Sequence, residues 1–189
     1  MVRAGGLVAG IALAGLALAG CSGSGSDRGP TPSASMVTSA SPSASIAAPS
    51  ASPSYSVPPE ARVQTEAGAV AFVTFYFEQV NKGLMAPDPD LISGLSDPEC
   101  QGCVSLTDLA RSLMNESHHY QSAAVSVHNV RPAPGARTTE QFIDFVLEQH
   151  DANVVDSNGA IVERVQASRE DRRVLLEWRD ARWLTRGIA

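Results

Sequence analysis

The sequence predicts an α+β domain, with N-terminal helices packed on a curled antiparallel sheet, carried behind a signal peptide and a disordered tether. Three observations predict it. The hydrophobic period changes from 3.6 to 2 after Glu116, so helices come first and strands after. The composition of residues 22–59 excludes a packed core, which confines the domain to residues 60–189. The chain opens on a short apolar run that ends at a cysteine.

That opening is residues 1–20. Arg3 supplies a positive start, and "LVAGIALAGLALAG" is apolar, small-residued and too short to span a bilayer as a helix. It closes on "LAGC", Leu18 to Cys21, two small residues and then the cysteine that receives a diacylglyceryl group in a bacterial lipoprotein. Cys21 is therefore expected to be the lipidated N-terminus of the mature chain. Buried acyl chains contribute about 0.8 kcal/mol per methylene, and two or three of them hold a protein stably on a membrane surface. The expected location is the outer face of the cytoplasmic membrane.

Residues 21–59 form the expected tether. Of residues 22–59, 13 are Ser, 7 Pro, 6 Ala, 3 Gly and 2 Thr. Large apolar side chains are nearly absent, so ordering entropy goes unopposed. A flexible coil of this length spans roughly 34 Å, at 5–6 Å times the square root of the residue number, and proline extends it further.

Residues 60–189 carry 19 acidic and 12 basic side chains, a formal charge near −7. Such a domain has no electrostatic footprint for nucleic acid or for anionic lipid. The stretch from Pro58 to Gly83 predicts a long first helix, with Val63, Ala67, Val70, Val73, Phe77 and Val80 on one stripe. A short second helix follows Pro89, offering Leu91, Ile92 and Leu95 to a core. A third is expected from "SDPECQGCVSLTDLARSLMNE", with Pro98 at its first turn, Ser96 or Asp97 as cap, and Leu106, Leu109, Ala110 and Leu113 on its apolar face.

The strands follow. "HYQSAAVSVHNV" places Ala123, Val125 and Val127 on one face, and "RPAPGAR" reads as a loop. "TEQFIDFVLEQH" puts Ile143, Phe145 and Leu147 opposite Asp144, Glu148 and His150. Asn158-Gly159 between β-branched pairs marks a hairpin. The last two strands turn at Asp180-Ala181.

The order of elements and the closing "LLEWRDARWLTRGI" resemble the cone-shaped fold of nuclear transport factor two, shared with SnoaL-like proteins and ketosteroid isomerase. The lipobox, the Ser/Pro tether, "PPEAR…TEAGAVAFVTFYFEQVN" and "LSDPECQGC" together resemble an actinobacterial lipoprotein family of unknown function. That resemblance implies a cone-like domain and no known activity.

Cys100 and Cys103 admit three readings. Outside the cytoplasm thiols oxidise, which favours a local disulfide that fixes the entry of the third helix. A thiol–disulfide exchanger would use the field at a helix start to stabilise a thiolate, but Asp97 and Glu99 oppose it and no strand precedes the pair. Zinc needs four ligands, and His118 and His119 lack the helical spacing to complete a set with the two cysteines. No metal and no cofactor is expected.

Asp144 and Tyr76, a carboxylate and a phenol in an apolar cone, are the catalytic candidates for proton abstraction beside a carbonyl. The plainer reading makes Asp144, Glu148 and His150 a solvated strand face. Tyr76, Trp178 and Trp183 are the pocket candidates, although Trp178 and Trp183 also suit cross-strand packing. The leading expectation is a non-catalytic domain that binds a small apolar ligand or an envelope protein, with no nucleic-acid partner. The alternatives are an enzyme, using either the thiols or Asp144 and Tyr76, and a structural adaptor whose cone is filled by its own side chains.

Overall fold

A computed structural model describes residues 55–189. The expected signal segment, the expected lipidation site Cys21 and the expected tether up to residue 54 lie outside the described residues. The packed unit includes Tyr55 to Pro59, which the sequence assigns to the tether. The Tyr55 ring meets Phe75 edge-on, 6.0 Å between centroids, and Arg62 donates from Nε to Val57 O at 2.6 Å.

The first helix begins later than proline punctuation suggests. Pro59–Arg62 is a separate 3-10 turn, and α1 runs Glu66–Met85. Thr65 caps α1, its hydroxyl accepting from the Gly68 N–H at 3.0 Å. The chain doubles back so tightly that a Cβ on Gly68 would lie 2.1 Å from Val63 O, so only glycine fits there. Val63, expected on the apolar stripe, is consequently outside the helix and 49% exposed. Gly83 does not end α1; it lies inside the last turn.

The short helix α2 (Asp90–Ser93) buries Ile92, as its spacing predicts. Helix α3 (Gln101–Glu116) starts three residues later than expected, with Cys100 at its cap and Asp97-Pro98-Glu99 as a preceding turn. Cys100, and not Ser96 or Asp97, is therefore the cap of this helix.

Seven antiparallel strands follow, in two sheets where the sequence suggests a single curled one. β2 (Val125–Ala133), β3 (Glu140–Gln149), β6 (Ser168–Arg179) and β7 (Arg182–Ile188) form one sheet in the order β2-β3-β6-β7. β1 (His119–Tyr120), β4 (Ala152–Val155) and β5 (Ile161–Val165) form the other, in the order β1-β4-β5. The physical reason is saturation of β3. It pairs with β2 on one edge and β6 on the other, so the β4–β5 hairpin must find its partner in β1. "RPAPGAR" is not all loop, because β2 continues through Arg131 to Ala133 past an irregularity at Asn129, where φ is 53°.

The Asn158-Gly159 hairpin is present, with φ 82° at Gly159. The β6–β7 turn also falls where the sequence puts it, with φ 54° at Asp180 and 57° at Ala181. Left-handed backbone at both central residues is the turn that matches strand twist, and alanine is strained there. Ala181→Gly is expected to raise unfolding stability by about 0.5–1 kcal/mol in urea titrations, and Ala181→Val to lower it.

The core lies between α1 and the inner face of the four-stranded sheet. Phe72, Val73, Tyr76 and Val80 meet Ile143, Phe145, Val174 and Leu176, all of them buried. Among the described residues no helix is long and apolar enough to cross a membrane.

Candidate functional site

Between α1, α3 and the inner sheet face the core is incomplete. A cleft of about 280 Å³ remains, close to the lower limit of small-ligand sites. Its lining follows from the periodicity of each element. Phe77, Val80 and Leu84 recur at three- and four-residue steps on α1, and Leu106 and Leu109 occupy one face of α3. Val125 and Leu147 come from the inner face of the sheet, and Ile188 ends β7 beside Gly102. Leu109 is 37% exposed, which places an apolar side chain at the mouth.

Asn81 sets one wall. Its Oδ1 accepts from the N–H groups of Ala124 and Val125 at 2.9 and 3.0 Å, and its Nδ2 donates to Val125 O at 2.8 Å. One helical side chain thereby satisfies the start of β2 and holds it against α1. Sequence pattern alone leaves Asn81 as an unremarked polar position near a helix end.

Polar groups at the cleft are few. Among the described residues Arg172 is its one charged lining residue, and Gln149 and Tyr120 add an amide and a phenol. Arg172 stands directly across from Phe145 and two residues before buried Val174, so it shares the inner face. Glu170, two residues earlier on that face, pairs with its guanidinium.

The structure separates the two catalytic candidates. Asp144 lies on the outer sheet face, where Arg173 grips it through Nε at 2.6 Å and Nη2 at 3.1 Å. Those hydrogen bonds, helped by the charges of Arg173 and Arg131, hold its carboxyl below the usual range against the opposing effect of burial. A carboxylate held ionised by a bidentate arginine is a poor proton acceptor. Tyr76 is 2% exposed in the helix–sheet core, and burial pushes its phenol well above its ordinary range. Among the described residues its hydroxyl has no hydrogen-bond partner, so it brings a desolvation cost without a return. Tyr76→Phe is expected to leave stability unchanged or to raise it by up to about 1 kcal/mol in thermal melts.

The remaining candidates take structural positions. Trp178 and Trp183 are cross-strand neighbours packed edge to face, 5.1 Å between centroids. The Trp183 indole N–H donates to Val63 O at 3.0 Å. Trp183 also lines a second cleft of about 340 Å³ with Tyr55, Val57 and Arg62. That cleft is walled in part by the first described residues, Tyr55 to Val57.

Cys100 and Cys103 are joined by a disulfide, and both are at most 1% exposed. Cys100 Sγ accepts from the Cys103 N–H at 3.2 Å, completing the helix cap. A buried sulfur pair gives an attacking thiolate no approach. The sulfurs are bonded to each other, so they are not thiolate ligands for a metal with His118 and His119. Among the described residues no group of three or more His, Cys, Asp or Glu is placed to hold one.

The acidic residue before the cysteines has a role that local spacing does not reveal. Asp97 is buried, and its Oδ1 accepts from the Glu99 N–H at 2.9 Å. Its Oδ2 meets Arg186 at 2.7 Å and Arg179 at 3.1 Å. Beside it, the Asp97 N–H donates to Thr185 O at 2.9 Å and the Thr185 N–H to Leu95 O at 3.0 Å. The "SDPEC" segment therefore covers the edge of β7 and locks α3 onto the last hairpin.

Comparison with known proteins adds little chemistry. The model of DUF6318, a family of unknown function, matches residues 45–189. No curated protein matches the chain. The intermembrane space region of the chloroplast protein ARC6 is similar in fold, with a TM-score of 0.50 at 14% identity, covering 66% of this chain and 95% of that one. An uncharacterised protein with a cystatin-like fold from Caulobacter vibrioides has a TM-score of 0.39 at 9% identity, covering 61% and 83%. A protein described as Rd1NTF2_04 with long sheet has a TM-score of 0.33 at 12% identity, covering 60% and 94%.

Proposed function

Because the chain belongs to DUF6318, a family of unknown function, we propose its function from its own geometry: it is a lipid-anchored binding protein that holds a small apolar ligand in the cleft between α1, α3 and the sheet. The observation that carries this reading is the cleft itself. An apolar concavity of about 280 Å³, with an arginine and an amide at its edge, is the usual form of a small-molecule site. The helix-then-sheet order suits a cone-like domain of the nuclear transport factor two type, with the cleft as the interior of an open cone.

The anchor supports the same reading. Residues 1–20 have the form of a lipoprotein signal peptide and Cys21 that of the lipidated residue. Residues 21–54, lacking apolar bulk, would hold the domain off the outer face of the cytoplasmic membrane as a tether. A binding domain in that place meets apolar molecules of the envelope. Asp144 and Tyr76 enter no reaction in this proposal, and the Cys100–Cys103 bond is a staple.

The test is a titration of the purified protein with N-phenyl-1-naphthylamine, a neutral fluorophore that brightens in apolar surroundings. The expected result is saturable enhancement at one site per chain. A signal that rises linearly without saturating would defeat the binding reading.

A further inference from the structure

Resting on that binding reading, we infer that the ligand is an anionic single-chain amphiphile, its chain among the leucines and valines of the cleft and its acidic head at Arg172. Three observations converge. The lining is apolar on both helices, so it suits a hydrocarbon chain, and its volume holds roughly nine water-sized groups at about 30 Å³ each. The single charge in the lining is a cation, in a domain whose formal charge is near −7. Arg172 also lies on the inner face, at the rim of the cleft, with buried Phe145, Val174 and Leu176 on one side of it and its partner Glu170 on the other.

Arg172 is placed to accept an anion while keeping its existing partner. Guanidinium carries five N–H donors, and Glu170 occupies Nη2, which leaves donors for a carboxylate or phosphate head. Glu170 orients the side chain and is not itself in the cleft lining. Gln149, on the neighbouring strand, donates from Nε2 to Gln166 O at 3.1 Å, which leaves its amide oxygen as an acceptor near the rim. The sequence conceals this arrangement. Seven arginines between Arg164 and Arg186 alternate with acids, and the run reads as a solvated strand surface. The register of β6 singles out Arg172 by turning it inward.

The experiment is displacement of N-phenyl-1-naphthylamine by decanoate and by decanol at neutral pH, in the wild type, Arg172→Gln and Arg172→Lys. In the wild type decanoate is expected to compete about tenfold better than decanol, the value of one charge-assisted hydrogen bond. Arg172→Gln should remove that advantage by weakening decanoate alone, and Arg172→Lys should restore part of it. Equal competition by the two in the wild type, or equal weakening of both in Arg172→Gln, overturns the proposal. Failure of both to displace a bound fluorophore overturns it too, while leaving the cleft a binding site. Failure of the fluorophore itself to bind overturns the binding reading and this inference together.

Discussion

Asp97→Ala is expected to lower unfolding stability by about 2–3 kcal/mol in urea titrations, although Asp97 touches neither the cleft nor the disulfide sulfurs. The carboxylate is buried and serves three donors at once: the Glu99 amide, Arg186 and Arg179. Its removal leaves an amide without its acceptor and leaves Arg179 and Arg186 with Glu177 as their one shared carboxylate. Both guanidiniums are partly exposed and regain water, which keeps the cost below that of a wholly buried pair. Asp97→Asn should fall between, since the side-chain oxygen still accepts from Glu99.

The same residue sets a direction with pH. The Glu99 amide, then Arg186 and Arg179, hold the Asp97 carboxyl below its ordinary value of 3.8, against the opposing effect of burial. A depressed native value means that the stabilisation is complete above the unfolded carboxylate range and is lost as pH falls through the native value. Stability should therefore decline below about pH 4. Asp97→Asn should make that decline shallower without abolishing it. Asp144, through Arg173, and Asp156, through the Ala160 and Asn158 amides, are depressed in the same direction.

Leu106→Trp is expected to abolish binding of N-phenyl-1-naphthylamine, or to weaken it at least about tenfold, with little loss of stability. Leu106 projects from α3 into the cleft and is half-buried. A larger ring there finds space already present, so overpacking strain stays under about 1–1.5 kcal/mol. Unchanged affinity in a folded Leu106→Trp protein would move the site elsewhere, with the cleft at Tyr55 and Trp183 next in line.

Local pattern foretells much of this architecture. The face of β3 that carries Ile143 and Phe145, the burial of Ile92, the Asn158-Gly159 hairpin and the Asp180-Ala181 turn all follow from period and turn chemistry. What local pattern misses depends on distant partners. Pro58 and Pro59 mark a helix start plausibly, but Thr65 caps the helix and the Gly68–Val63 approach breaks the chain before it. Asp97 looks like a helix cap because its arginines lie more than eighty residues away in sequence. Sheet membership also escapes a reading that cannot see both edges of β3 filled. The cleft is the clearest case. Its apolar positions are each foreseeable, but their failure to close on one another is a property of packing, and Arg172 becomes a cleft residue only through the register of β6 against β3.

The most direct measurement is a set of amide NMR spectra of the protein during titration with N-phenyl-1-naphthylamine. The account predicts saturable shifts clustered at Phe77 to Leu84, Gly102 to Leu109 and Leu147 to Gln149. Shifts gathered around Tyr55 and Trp183, or scattered without saturation, would contradict it.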